Sequence, residues 1–449
     1  MTFSTSKSSY SHIIRLALPI IIGGVAQNVI LATDAFFMAR VDEISLAAVG
    51  LAGLFYMTVY ILGLGFSTGV QILIARRHGE RKYHQIGEIF DNSMLLLLTM
   101  SLFLWLGMDV LGPPILKFLV KSPAVLEAAV SYLDNRAWGI TFALANLGYR
   151  AFFIGVSSAK IIIGSTFATA IANVILNYGL IFGHWGLPAW GIEGSAIASS
   201  LSEIIGLLCF AMYAFFGRFH QTYALFRTRK WQPDLIRNMS KIASPVMFQN
   251  FLSHVGWFLF FIIIEQSGER ALAISVVIRI IYMFEMVPFW GLSSASNTLV
   301  SFTIGENRLQ DVIPLLKKIT ILSLLFASPF ILANLLFPEF ILGLAIENKN
   351  ATGLITDCIP TLYMVSAALL FFGPAMTWYS GVSGSGNTKT ALLIETIAIA
   401  SYLLIAWFLG IYLKSDVFLI WLTEPYYFIA LFVFSRMYMQ TGKWKNKMV

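Results

Sequence analysis

Charge is scarce in this sequence. Asp, Glu, Lys and Arg make up 12% of the 449 residues against 58% hydrophobic residues, with only 2 cysteines and 6 histidines. A soluble globular domain carries roughly twice that share of charge, so a soluble fold is excluded. The two cysteines, Cys209 and Cys358, lie far apart in apolar surroundings. They imply neither a disulfide framework nor a metal cluster and read as packed thiols. The sequence also contains no Walker P-loop and no HExxH, and its one GxSxG string, at 65–69, lies inside a long apolar run and not at a strand-to-helix elbow. These absences argue against an enzyme and against direct use of ATP. The excess of Lys and Arg could in principle serve nucleic acid, but in so apolar a chain it reports membrane orientation, and no nucleic-acid partner is expected.

What the chain has is long apolar runs. A membrane-crossing helix needs roughly 20 such residues, and runs of that length are found at 12–39, 46–75, 89–112, 129–156, 161–183, 191–216, 242–266, 271–302, 315–338, 356–384, 389–412 and 418–438. The expected fold is an all-α membrane protein of 12 transmembrane helices with short loops and no separate soluble domain. The first run is too long, and too weakly preceded by basic residues, to be a cleaved signal peptide, so it is expected to stay in the mature protein. Basic residues favour alternate loops by roughly three to one, which places both termini in the cytoplasm of an inner-membrane, multi-pass protein. The longest polar connection, 217–241, falls on the same side.

The two halves of the sequence repeat. A shift of 226 positions brings Pro19 onto Pro245, Tyr56-Met57 onto Tyr282-Met283, Gly65 onto Gly291 and Gly79-Glu80 onto Gly305-Glu306. The same shift, ungapped, sets Gly155-Val156-Ser157 on Gly381-Val382-Ser383. With six spans in each half, the repeats share one orientation, the parallel arrangement of some secondary transporters. The expected organisation is an N-lobe at 1–216, a cytoplasmic linker at 217–241 and a C-lobe at 242–449.

One residue interrupts the first apolar run. Asp34 is a carboxylate in a span, and intramembrane acids are rare, usually face a cavity or a bundle interior, and mark functional sites by default. Pro19, fifteen residues earlier, removes a helical hydrogen bond and can bend or gate the same span.

Taken together, Pro19, ATDAFFMARVDEISLAAVGLA around Asp34, GLGFSTGVQILIARRHGE, its echo GLSSASNTLVSFTIGEN, ANVILNYGLIFG, GIEGSAIASSLSE and GVSGSGNTKTA resemble the multidrug and toxic compound extrusion (MATE) transporters over essentially the whole chain. The resemblance implies two six-helix lobes around a V-shaped cavity. It also implies export of organic cations or other amphipathic compounds in exchange for protons or sodium ions, with no further cofactor. Carried over residue by residue, the family's N-lobe cation site falls on Asp34, Asn173 and a hydroxyl at Ser199, with Ser195 as the other register. At Asn177 this chain departs from the family, whose prokaryotic pattern often has Asp there.

The residues themselves fit a cation site. Asn173 and Asn177 are i,i+4 and share a helix face, as do Ser199 and Glu203. Hard cations take oxygen ligands, so Asp34, Asn173, Asn177, Ser199 and Glu203 form the candidate coupling set, the first four able to hold Na+. Polar residues that only bridge helices are the competing explanation. Glu203 either approaches Asp34, so that the missing charge has moved, or pairs with a base such as Arg150. Secondary candidates are Glu285, Glu395 and His254, beside Ser253, with Arg279 and Arg150 as possible partners of the acids. Met57, Met283, Met286, Trp257, Phe289 and Trp378 either line an adaptable apolar pocket or pack the core. Partners are a small amphipathic or cationic substrate and membrane lipid, with the protein a monomer. A lipid-linked oligosaccharide flippase is the alternative; it would need several cavity Arg or Lys for a pyrophosphate, and only Arg150 and Arg279 are read within spans. An uncoupled channel or receptor is a third class, without a positive signature.

Overall fold

The computed structural model describes residues 9–227, 231–346 and 352–446, so the centre of the expected linker, 228–230, lies outside the described residues. Among those residues there is no strand. The first half comprises α1 (Tyr10–Met38), α2 (Glu43–Gly79), α3 (Tyr83–Leu119), α4 (Pro123–Ala137), α5 (Ile140–Gly155), α6 (Lys160–Phe182), α7 (Gly191–Phe216) and the single turn α8 (Phe219–Thr222). The second comprises α9 (Pro233–Glu265), α10 (Glu269–Gly305), α11 (Val312–Leu336), α12 (Pro338–Ala345), α13 (Thr352–Gly384), α14 (Thr388–Trp407), α15 (Val417–Ile420) and α16 (Thr423–Gln440).

Among the described residues, eleven helices are long and apolar enough to cross a membrane. The twelfth span is the one expected at 129–156, and it is interrupted: α4 ends at Ala137 and α5 begins at Ile140. Gly139 N–H donates to the Arg136 carbonyl at 3.1 Å, a bond three residues back, so the helix tightens there. A Cβ on Gly139 would collide with the Arg136 guanidinium and the Ser200 hydroxyl. Glycine is required because two polar side chains press on the break. The outer faces of several helices remain apolar, as Phe103, Val110 and Phe118 of α3 illustrate, which suits lipid as the solvent.

The chain divides into two compact units, Ile22–Met247, and Met1–Ile21 with Phe248–Val449. Both cuts fall within a helix, between Ile21 and Ile22 of α1 and between Met247 and Phe248 of α9, which is the same 226-residue shift that relates the repeats. The first turns of α1 therefore group with the second half of the sequence, and those of α9 with the first. Glycine makes both associations close. A Cβ on Gly65 of α2 would strike the Met247 backbone, and one on its repeat partner Gly291 of α10 would strike Ile21. Small residues let helix backbones approach in this way.

The turns after α2 and α10 match as well. Arg81 and Asn307 both take a left-handed backbone, φ 60 and 59. Glu80 pairs with Lys82 at 2.9 Å and with Arg77 at 2.7 Å, while Glu306 pairs with Arg308 at 3.2 Å. In the connection after α8, Phe226 N–H donates to Asp91 at 2.7 Å, which ties this stretch to α3. Residues 233–241, read as linker, form the first turns of α9.

Candidate cation-coupling site

α1, α6 and α7 bring four of the candidate residues into one closed ring of hydrogen bonds. Asn177 Nδ2 donates to Asp34 Oδ1 at 2.5 Å and lies 3.1 Å from Asn173 Oδ1; Asn173 Nδ2 donates to Ser199 Oγ at 3.2 Å; Ser199 Oγ donates to Asp34 Oδ2 at 3.2 Å. Both asparagines are fully buried, and Asp34 and Ser199 nearly so. The i,i+4 spacing puts the two amides on one face of α6, and α7 presents Ser199 to the same carboxylate. Asn177 Oδ1 has no hydrogen-bond partner among the described residues. A buried acceptor left without a donor beside a carboxylate is the donor set a bound Na+ would complete. Ser195, one turn earlier on α7, is buried with its hydroxyl unpartnered; Ser199 is the one bonded to Asp34. Among the described residues no three His, Cys, Asp or Glu side chains gather as a metal cluster.

Glu203 stands beside this ring in a different pairing. Its Oε1 accepts from Arg136 Nη2 at 2.5 Å, and Arg136 also donates from Nη1 to Ser200 Oγ at 3.2 Å. The guanidinium lies over the Tyr56 ring, 4.1 Å from its centroid. Counting only Arg150 and Arg279 within spans is therefore corrected. Arg136 is a buried residue of α4, held there by its carboxylate, hydroxyl and aromatic contacts. Asp34, Ser199, Glu203, Arg136, Arg150 and Met57 all line one cavity of about 150 Å³.

The profile of the MatE family matches residues 19–179 and 245–408. The chain belongs to the MatE family. The two matched stretches start 226 residues apart, at Pro19 and Pro245, so each repeat carries one copy. This MatE chain is 27% identical to a protein from a Synechocystis species named "Probable multidrug resistance protein NorM", covering 87% of each. It is 22% identical to a protein of the same name from Thermotoga maritima, covering 98% of this chain and 94% of the relative. A solved structure described as the outward-facing conformation of a multidrug resistance MATE family transporter of the MOP superfamily superposes with a TM-score of 0.88 at 19% identity, over 97% of this chain and 96% of that one. At that identity the likeness concerns the fold alone. With its apolar spans, this MatE chain is a multi-pass membrane transporter.

In the second unit of this MatE chain the ion pairs expected for the buried acids do not form. Glu285 accepts from Asn334 Nδ2 at 2.9 Å, and Glu395 accepts from Ser253 at 2.5 Å and Tyr427 at 2.6 Å. Arg279 instead stacks on Phe261, 5.1 Å from its centroid. Neutral donors reach one oxygen of each carboxyl, while Glu285 Oε2 and Glu395 Oε2 are buried without a hydrogen-bond partner among the described residues. Sequence reading missed Glu424, which accepts from Tyr402 at 2.9 Å and Tyr282 at 3.4 Å. Its signal was available as a charge inside the last apolar run, 418–438, in TEPYYF. His254 is partly buried on α9. Phe289 and Trp378 are core residues: Phe289 packs on Phe372 and Trp378 donates to Thr320 at 3.1 Å.

Proposed function

We propose that this chain is a secondary active antiporter that exports organic cations or amphipathic drugs in exchange for protons or sodium ions, by alternating access of its N-lobe (1–216) and C-lobe (242–449) about the 217–241 connection. The observation that carries the reading is the ring around Asp34. The two side chains bonded to Asp34, Asn177 and Ser199, are neutral, so the ionised carboxylate has no cation bonded to it among the described residues, and a buried unpaired charge is costly. Loading a proton or Na+ removes that cost; releasing it restores an anion able to hold a cationic substrate. Binding at one membrane face and release at the other then follow from which face the site opens to.

The curated relatives named as multidrug resistance proteins support the same reading. The protein acts as a monomer in the inner membrane with both termini cytoplasmic. A flippase for lipid-linked oligosaccharides fits less well, because Glu203 compensates Arg136 and only Arg150 is left to meet a pyrophosphate in this cavity. The deciding experiment uses everted vesicles, a fluorescent organic cation, and imposed proton or sodium gradients. Uptake driven by either gradient is expected. Uptake that ignores both gradients would remove the antiporter reading.

A further inference from the structure

Asp34 and Glu203 line one cavity, and Arg136, which lines it too, is bonded to Glu203 and not to Asp34. Arg136 is in electrostatic range of both acids, whereas Arg150, the other base of this cavity, is not among the charges in range of Glu203. Around the two acids there are thus two carboxylates to one guanidinium, and one carboxylate is left without a protein cation. A buried charge left so is costly until a cation from outside joins it.

The two acids are open to different ions. Both oxygens of Asp34 accept hydrogen bonds, Oδ1 from Asn177 and Oδ2 from Ser199, so a bare Na+ or a proton can join the ring but a substituted ammonium would have to break it. Glu203 Oε2, by contrast, has no hydrogen-bond partner among the described residues. Once the guanidinium leaves Oε1, this carboxylate is wholly free. The cavity of about 150 Å³ has room for an ammonium group, while a drug-sized ligand takes roughly 300 Å³ or more.

Arg136 is also placed to turn. Its Nη1 donates to Ser200 Oγ at 3.2 Å, and Ser200 is next in the chain to Ser199, the residue bonded to Asp34. The guanidinium rests on the Tyr56 ring, 4.1 Å from its centroid, and a ring face attracts a cation without fixing the direction of its N–H groups. Asn146 Nδ2 donates to the Glu203 main-chain carbonyl at 2.9 Å, which keeps α7 tied to α5 whichever way the guanidinium points.

We propose that Arg136 is an exchange residue: it neutralises Glu203 while the coupling ion occupies Asp34, and it turns to Asp34 when a cationic group of the substrate takes Glu203. The coupling ion and the substrate then use different carboxylates, and each expels the other through one tethered guanidinium. This deepens the antiport reading and rests on it for the ions exchanged.

The full-length protein in nanodiscs of zwitterionic phospholipid is titrated with dansylcadaverine, a fluorophore carrying a primary ammonium on a flexible arm, and followed by anisotropy. In the wild type, added Na+ or lowered pH should weaken its binding. Indifference to both, or no binding, would overturn the exchange whatever the variants do. Arg136→Gln combined with Glu203→Gln removes the pair as a unit and strands no charge, and normal elution from a sizing column is its folding control. In this double variant dansylcadaverine should bind about tenfold more weakly, the scale of one charge-assisted contact, and Na+ or protons should no longer displace what binding is left. Affinity within about twofold of the wild type, still displaced by the ion, would put both cations on Asp34 and overturn the proposal. If the glutamine pair does not fold, leucine at both positions is read in the same way. In proteoliposomes the same probe is followed under imposed proton and sodium gradients. Gradient-driven flux together with unaltered binding in the double variant would keep the antiporter and end the exchange. The expected binding pattern without gradient-driven flux would end the antiporter and leave the exchange.

Discussion

Asn177 Nδ2 sits 2.5 Å from Asp34 Oδ1 across 143 residues of chain, on the amide that stands where the family's pattern often has a second carboxylate. The single negative charge of the ring is therefore held by a neutral donor. Restoring the acid with Asn177→Asp should strengthen cation binding, because a second carboxylate a few ångströms from the first adds attraction in a poorly screened site. Half-saturating sodium for transport should fall by about tenfold, and the two acids should titrate as a coupled pair. An unchanged sodium dependence in everted vesicles would place the bound cation elsewhere.

Asp34→Asn keeps the shape and removes the charge. Gradient-driven efflux should drop to the level of vesicles without the protein, while expression, membrane insertion and elution from a sizing column stay normal. Efflux at the wild-type rate would end the assignment of Asp34 as the coupling residue.

The Arg136–Glu203 pair makes a stability prediction. Removing one partner leaves a charge stranded in a low-dielectric interior, so Arg136→Leu and Glu203→Leu should each destabilise by about 3–5 kcal/mol. The double substitution should recover most of that loss, since neither charge is then buried alone. Thermal unfolding of the four proteins in detergent measures the cycle, and additive losses would show that the pair is uncoupled.

At the turn after α2, burial works against the charged form of Glu80, but hydrogen bonds and charge from Lys82 and Arg77 outweigh it and hold the carboxyl below its usual range. A depressed folded value means the stabilisation is fully present above the unfolded value, about 4.3, and is lost as pH falls through the folded one. Glu80→Gln should therefore cost up to about 1 kcal/mol at neutral pH and almost nothing once pH is below the folded value. Equal melting differences at both ends of that range would contradict the ion pairs.

Topology can be read by labelling. With Cys209 and Cys358 replaced by Ser, a cysteine at the exposed Phe226 should react only from the cytoplasmic side, and one at the exposed Trp185 only from outside. Reversed labelling would invert the orientation inferred from charge bias.

The spans and the repeat were legible in the sequence because apolar length and a fixed 226-residue shift are linear properties of the chain. Asn173 and Asn177 were legible as a pair for the same reason, since four residues make one helical turn. The interruption at Trp138–Gly139 was not, because 129–156 reads as one apolar run, and the close approach of Ser200 to Gly139 comes from another helix. The partner of Glu203 was missed likewise: Arg136 lies 67 residues away, and nothing periodic links the two. Glu285 and Glu395 were found as charges in apolar runs, but the Asn, Ser and Tyr donors that bond to one oxygen of each are ordinary in sequence and meaningful only once the helices pack.

Where the units divide has a consequence for biosynthesis. The turns of α1 that leave the ribosome early belong with helices from the second half of the chain, and Ile21 has no Gly291 to rest against until α10 has been made. The segment 22–247, by contrast, is continuous and can close on itself during translation. The first turns of α1 are thus synthesised long before the helices they pack against.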